Sequence, residues 1–220
     1  MSAPKTRPRP SAPPAKGLPI VPLAIGAVVV VLAVGLAIAI AGGGDETSTA
    51  DSDLAAFAPV TVQGTNLPGF TATEGDPAVG EEAPRLLGET PEGTPVEVGG
   101  AGEPTLIAFL AHWCPHCQAE LPVLVDLEDE GAFEGVRTVA VLTGTDEAAP
   151  NFPPAAWLQD EDWAGDVLVD DESMAAAQAY GLAGYPFLVM LDADGRVMAR
   201  TSGELPAEDV VALVEAATAG

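Results

Sequence analysis

Thr105-Leu106-Ile107-Ala108-Phe109-Leu110-Ala111, followed by His112-Trp113-Cys114-Pro115-His116-Cys117 and then Gln118-Ala119-Glu120-Leu121-Pro122-Val123-Leu124-Val125, is the stretch that decides the fold. The apolar run ahead of the cysteines reads as a buried strand, and the run behind them as a helix. Cys114 and Cys117 are the only cysteines in the chain. Two residues between two thiols at a strand-to-helix junction is a redox spacing.

If the helix starts at Cys114, Pro115 fills the first helical position, for which its fixed φ is suited. The Cys114 sulfur then faces unpaired amides at the positive helix end, which favours a thiolate. Cys117 lies one turn on, on the same face and within disulfide reach. The outer sulfur is expected to attack and the inner one to resolve. His116 adds a donor and partial positive charge, which pushes the pair toward being an oxidant.

Two other readings stay open at this point. A structural disulfide closing so short a loop would constrain little of the unfolded chain. A copper or zinc site has four ligand types in His112, Cys114, His116 and Cys117, although neighbouring residues at a helix start diverge around its axis. Outside that reading, His112 either tunes the pair or is a solvent-exposed spectator, the second being the expected role. The metal expectation for the favoured reading is none.

Working outward, the elements alternate. A short strand is expected around Glu97 and Val98, the strong strand over 105–111, and a helix over 114–128 kinked by Pro122. A second buried strand follows over 136–142. Asn151-Phe152-Pro153-Pro154 starts a helix continuing over 155–160, and 166–169 is a short strand. An alanine-rich helix over 173–180 is capped by Ser173 and stopped by Gly181. Strands 187–191 and 196–201 form a hairpin over Asp192-Ala193-Asp194-Gly195, where glycine supplies the positive φ. An amphipathic helix over 206–219 closes the chain. Trp157 and Trp163 read as packing residues. The class is α/β, a mixed sheet flanked by helices around one core.

The N-terminal part has a different character. Residues 1–17 are rich in proline and basic residues and read as a disordered cytoplasmic tail. Residues 18–41 carry no charge and suffice for one membrane crossing. Ala39-Ile40-Ala41 also resembles a signal-peptide cleavage site, so an anchor and a cleaved signal both stay open. With no cysteine at the end of the block, a lipid anchor there is excluded. Residues 42–75 read as an extracytoplasmic linker, and 76–220 as the folded domain.

Lys5, Arg7, Arg9 and Lys16 precede the apolar block, whereas all 33 acidic residues follow it, for a net charge of −25. That asymmetry orients the N-terminus to the cytoplasm and the domain outside. A strongly anionic domain repels nucleic acid, which removes that class of partner.

Trp-Cys-x-x-Cys after an apolar strand resembles the thioredoxin superfamily, and Cys117-Gln118-Ala119-Glu120-Leu121-Pro122 is similar to its membrane-anchored TlpA/ResA-like branch. The resemblance implies a thioredoxin-like three-layer sandwich. It matches Gly184-Tyr185-Pro186-Phe187 to the family's cis-proline loop, making Tyr185 and Pro186 the expected substrate-binding residues beside the catalytic Cys114 and Cys117. Trp113 would shield the disulfide, a plain core aromatic being the other reading for it and for Tyr185, while Pro115, His116 and Glu120 would support or tune the pair. Thr143-Gly144-Thr145 could edge the site. Ala108 stands where many relatives carry a buried acid, so the proton relay is either absent or supplied by Glu120, whose other reading is a helix-surface carboxylate.

The resemblance implies an exported thiol:disulfide oxidoreductase in the cell membrane, with no cofactor beyond the redox-active Cys114–Cys117 disulfide. Its partners would be protein thiols or disulfides and a membrane or extracytoplasmic redox protein. The branch points to reduction, as in cytochrome c maturation. The Pro-His dipeptide looks instead like the DsbA oxidases.

Overall fold

The computed structural model describes residues 54–218. The expected tail, the apolar block and the linker as far as residue 53 lie outside the described residues. Among the described residues, no helix is long and apolar enough to cross a membrane.

Strands β1 (Thr61–Gln63), β2 (Arg85–Glu89), β3 (Pro95–Val98), β4 (Thr105–Leu110), β5 (Arg137–Leu142), β6 (Asp166–Val169), β7 (Phe187–Leu191) and β8 (Val197–Ser202) form one sheet. Its order is β1-β2-β6-β5-β4-β7-β8, with β3 paired to β2. β4, β5 and β6 run parallel, and β7 returns antiparallel against β4. The helices are α1 (Pro115–Asp129), α2 (Pro154–Asp160), α3 (Ala175–Ala179) and α4 (Ala207–Thr218).

All six residues of β4 are buried, because helices or chain cover both faces of the sheet. Leu106, Ala108 and Leu110 join the cluster built with α1, α2 and α4. Ile107 and Phe109 point the other way, toward α3 and Tyr180. This period-two division gives each layer its own apolar stripe from one strand. Each fully buried Leu, Ile or Phe contributes about 1.5–3 kcal/mol. In the expected hairpin, Gly195 has φ 76°, and a Cβ there would stand 2.6 Å from the Gly100 carbonyl carbon.

The folded domain begins earlier than the expected boundary near Asp76. β1 pairs with β2 in antiparallel register, and Leu67 is buried with its amide on the Ala179 carbonyl at 2.8 Å. The fixing element is Arg200, which is fully buried. Its Nε and Nη2 donate to Asp76 at 2.8 and 2.6 Å, and its Nη1 to the carbonyls of Pro68 and Tyr180 at 2.8 and 2.7 Å. The guanidinium also lies 5.6 Å from the Phe70 ring centroid and 6.0 Å from that of Phe187. A buried cation so fully paired makes residues 67–78 part of the core rather than a tether.

The cap of α3 also differs from expectation. Ser173 does not cap it; its hydroxyl turns back to Asp171 at 2.7 Å. Asp171 accepts the Ala175 amide, and Asp170 accepts those of Ala176 and Ala177. Carboxylates hold the orphan donors more strongly than a hydroxyl would.

Candidate active site

The sheet presents the carboxyl ends of β4 and β5 to one edge, and the chain leaves β4 through Ala111, His112 and Trp113. Cys114 is the N-cap of α1, with φ −77° and ψ 120°, and Pro115 opens the helix. The Cys114 carbonyl accepts the Gln118 amide at 3.1 Å, so its sulfur stands at the open end of the helix. Cys114 is 7% exposed and Cys117 is fully buried. Cys114 is thus the more accessible thiol and Cys117 the deeper one. Both thiols are free.

Cys117 Sγ accepts the Ala111 amide at 3.4 Å. Burial pushes its thiol far above the ordinary thiol range, and the nearby Cys114 and Glu120 add to that shift. An attack by this sulfur would need a base to take its proton. Ala108 belongs to the same apolar cluster as both cysteines and offers no such group.

Glu120 is 1% exposed, which corrects the helix-surface reading. It lies one turn beyond Cys117 on α1. Oε2 accepts the Leu205 amide at 2.9 Å, whereas Oε1 has no hydrogen-bond partner. Burial raises the Glu120 carboxyl above the ordinary carboxylate range; the Leu205 amide opposes that and the charge of Glu204 adds to it. A buried carboxylate with one free oxygen near a buried thiol is suited to exchanging a proton with it.

The Tyr185–Pro186 bond is cis, and the Tyr185 carbonyl lies 4.0 Å from Cys114 Sγ. Trp113 is 38% exposed. Its indole N–H donates to the Gly144 carbonyl at 2.7 Å, and its ring meets Tyr185 edge to face at 5.9 Å. The 143–145 loop therefore borders the pair. Gly144 has φ 61°, and a Cβ there would fall 2.3 Å from the Tyr185 hydroxyl. Tyr185 also approaches the exposed Met174 at 3.6 Å. Trp113 and Tyr185 border the outer thiol, and Met174 lies against Tyr185.

His112 is 1% exposed, not the exposed spectator expected. Its Nδ1–H donates to the Pro150 carbonyl at 2.7 Å and its Nε2 accepts the Asp146 amide at 3.3 Å. With both ring nitrogens engaged inward, it does not converge with Cys114, His116 and Cys117. His116 is exposed, and its Nδ1 bonds to Glu204.

Sequence reasoning missed Asp170, a buried carboxylate beside this edge. It accepts the Thr143 hydroxyl at 2.7 Å and three amides of the 171–177 turn. Burial pushes its carboxyl up, and these donors pull it down. The signal was three acids, Asp170, Asp171 and Glu172, directly after a strand, a pattern that reads equally as solvated surface. Glu204 was also missed, because an exposed loop carboxylate carries no pattern of its own.

The methylamine utilization protein MauD of Methylophilus methylotrophus is 31% identical over 127 residues, which are 56% of this chain and 56% of that protein. The chain thus spans a little over half of that relative. The thiol-disulfide oxidoreductase ResA of Bacillus thuringiensis is 26% identical over 144 residues, covering 64% of this chain and 80% of that one. In three dimensions the domain is similar to StoA from Bacillus subtilis, with a TM-score of 0.50 at 22% identity over 63% of this chain and all of that one. That likeness places the fold among the thioredoxin-like α/β proteins. The Redoxin family matches residues 66–217, which run from β1's trailing turn to the last turn of α4, and the chain belongs to that family.

Proposed function

We propose that the protein is an extracytoplasmic thiol:disulfide oxidoreductase working chiefly as a disulfide reductase. The observation that carries this reading is the vertical arrangement of the thiols. Cys114 sits at the helix end against the Tyr185 backbone, and Cys117 lies buried beneath it. In the reducing direction the Cys114 thiolate attacks one sulfur of a substrate disulfide, and the other substrate sulfur leaves as a thiolate and is protonated. The substrate is held on Cys114 beside Tyr185 and Pro186. Cys117 then gives its proton to Glu120 and attacks Cys114, forming the Cys114–Cys117 disulfide and releasing the second substrate thiolate. Two electrons pass from the pair to the substrate. An external dithiol protein must restore the pair.

The uncharged block over residues 18–41, with basic residues before it and acids after it, supports a single-pass tether holding this domain outside the cytoplasmic membrane. The TlpA/ResA-like motif supports service in cytochrome c maturation. The exposed His116 favours a second reading as a thiol oxidase. Metal handling is the weakest reading, because His112 is committed to Pro150 and Asp146.

The test is exchange with a peptide disulfide. Cys114→Ser should abolish it, and Cys117→Ser should accumulate a mixed disulfide through Cys114. A reduction potential near that of thioredoxin, about −270 mV, supports the reductase, and one near that of DsbA, about −120 mV, overturns it in favour of the oxidase.

A further inference from the structure

His116 and Glu204 are 88 positions apart, and only the packing of α1 against the turn between β8 and α4 brings them together. His116 is 68% exposed at its side chain and Glu204 46%, so burial does not force the contact. Among the described residues, Glu204 is the one group that bonds to the His116 ring, and no hydrogen bond joins that ring to either sulfur. The next residue in the turn, Leu205, donates its amide to Glu120. The turn therefore meets the site at two points, the exposed dipeptide and the buried acid.

A ring between two cysteines influences them through its charge. An imidazolium stabilises the neighbouring thiolate, and a stabilised thiolate is a better leaving group, which makes the disulfide more oxidising. A carboxylate bonded to the same ring returns a negative charge at nearly the same place. The sulfur then faces an ion pair in place of a cation.

We propose that Glu204 is a positioning residue of the redox pair: by binding His116 through Nδ1 it offsets the charge of the ring and holds it off the sulfurs, keeping a Pro-His dipeptide in the reducing range. This rests on the disulfide-exchange reading above. It accounts for an oxidase-like dipeptide in a chain whose other motif residues look like those of reductases.

The test is equilibration of the full chain, in detergent, with glutathione buffers at pH 6, where imidazoles carry charge. Glu204→Gln should shift the equilibrium toward the reduced dithiol about tenfold, which is about 30 mV for a two-electron couple. In a His116→Ala background the same substitution should shift it less than about twofold. A purely structural role for Glu204 would move unfolding without moving this constant. An unshifted constant in Glu204→Gln overturns the proposal, as does an equal shift with and without His116, which would show the carboxylate acting on the sulfur directly. If the wild-type pair does not equilibrate with glutathione at all, the exchange reading falls and this inference falls with it.

Discussion

Replacing Glu120 with glutamine removes one charge and almost no volume. The glutamine carbonyl can still accept the Leu205 amide that Oε2 holds at 2.9 Å, so the start of α4 stays anchored. What is lost is the free oxygen, Oε1, which has no other partner. Cys117 is fully buried and its thiol is raised by that burial. At neutral pH almost none of it is ionised, and the resolving attack depends on a base. General-base assistance contributes about 10²–10⁴-fold. Taking the low end, because Glu120 lies a helical turn away, resolution should slow about 100-fold, or about 2.7 kcal/mol of barrier. Attack by Cys114 should keep its rate. Rapid acid quenching after mixing with a peptide disulfide, followed by mass spectrometry, resolves the two steps, with Cys117→Ser marking the limit of no resolution. A mixed-disulfide lifetime within about threefold of wild type would refute the relay. Stability should move oppositely. A carboxyl raised in the fold binds more protons there than in the unfolded chain, so its contribution falls as pH rises through that interval. Glu120→Gln should therefore resist urea at pH 7 at least as well as wild type.

Asp76→Asn leaves the fully buried Arg200 without its counter-charge and should cost about 3–5 kcal/mol in urea unfolding at pH 7. Hydrogen bonds from Arg200 hold the Asp76 carboxyl below its ordinary range, so its contribution is present above about pH 4 and lost as pH falls through the folded value. The gap between wild type and variant should therefore narrow in acid. Gly144→Ala puts a Cβ at positive φ and against the Tyr185 hydroxyl. It should cost about 1–2 kcal/mol and, by displacing Tyr185 from Trp113, change tryptophan fluorescence.

What could be read from the sequence was local. The uninterrupted apolar run of β4 signals a strand covered on both faces, and the two-thiol spacing places the reactive pair at its end. Glycine at 195 and the alanine-rich run before Gly181 likewise carry their own geometry. What could not be read was every contact made by a buried polar group. Burial of His112 depends on a carbonyl 38 residues away, and that of Glu120 on an amide 85 residues away. No periodicity encodes such partners. β1 escaped for a related reason: three residues with mostly exposed side chains show no apolar alternation, and backbone pairing to β2 alone makes them a strand. The boundary at Asp76 was misplaced because an aspartate among glycines and prolines looks solvated until Arg200 is found against it.

With Ala108 apolar, the proposed mechanism puts proton handling on α1, the helix that carries both cysteines. A carboxylate on that helix keeps its spacing from Cys117 whatever the sheet does. Its remaining freedom is set by Leu205, and the residue before Leu205 is the one that bonds to His116. Two successive residues of one turn therefore meet both the group suited to take the inner proton and the ring beside the outer sulfur. The two carboxylates divide the work by position. Glu120, buried and uncompensated at one oxygen, acts on Cys117 and should change how fast it resolves. Glu204, exposed and paired with His116, should act chiefly on how far the exchange runs, and reaches the buried proton only through the upward push of its charge on Glu120. Rate and equilibrium should then respond to different substitutions in the same protein, and that separation distinguishes a tuned redox pair from two cysteines that merely lie close together.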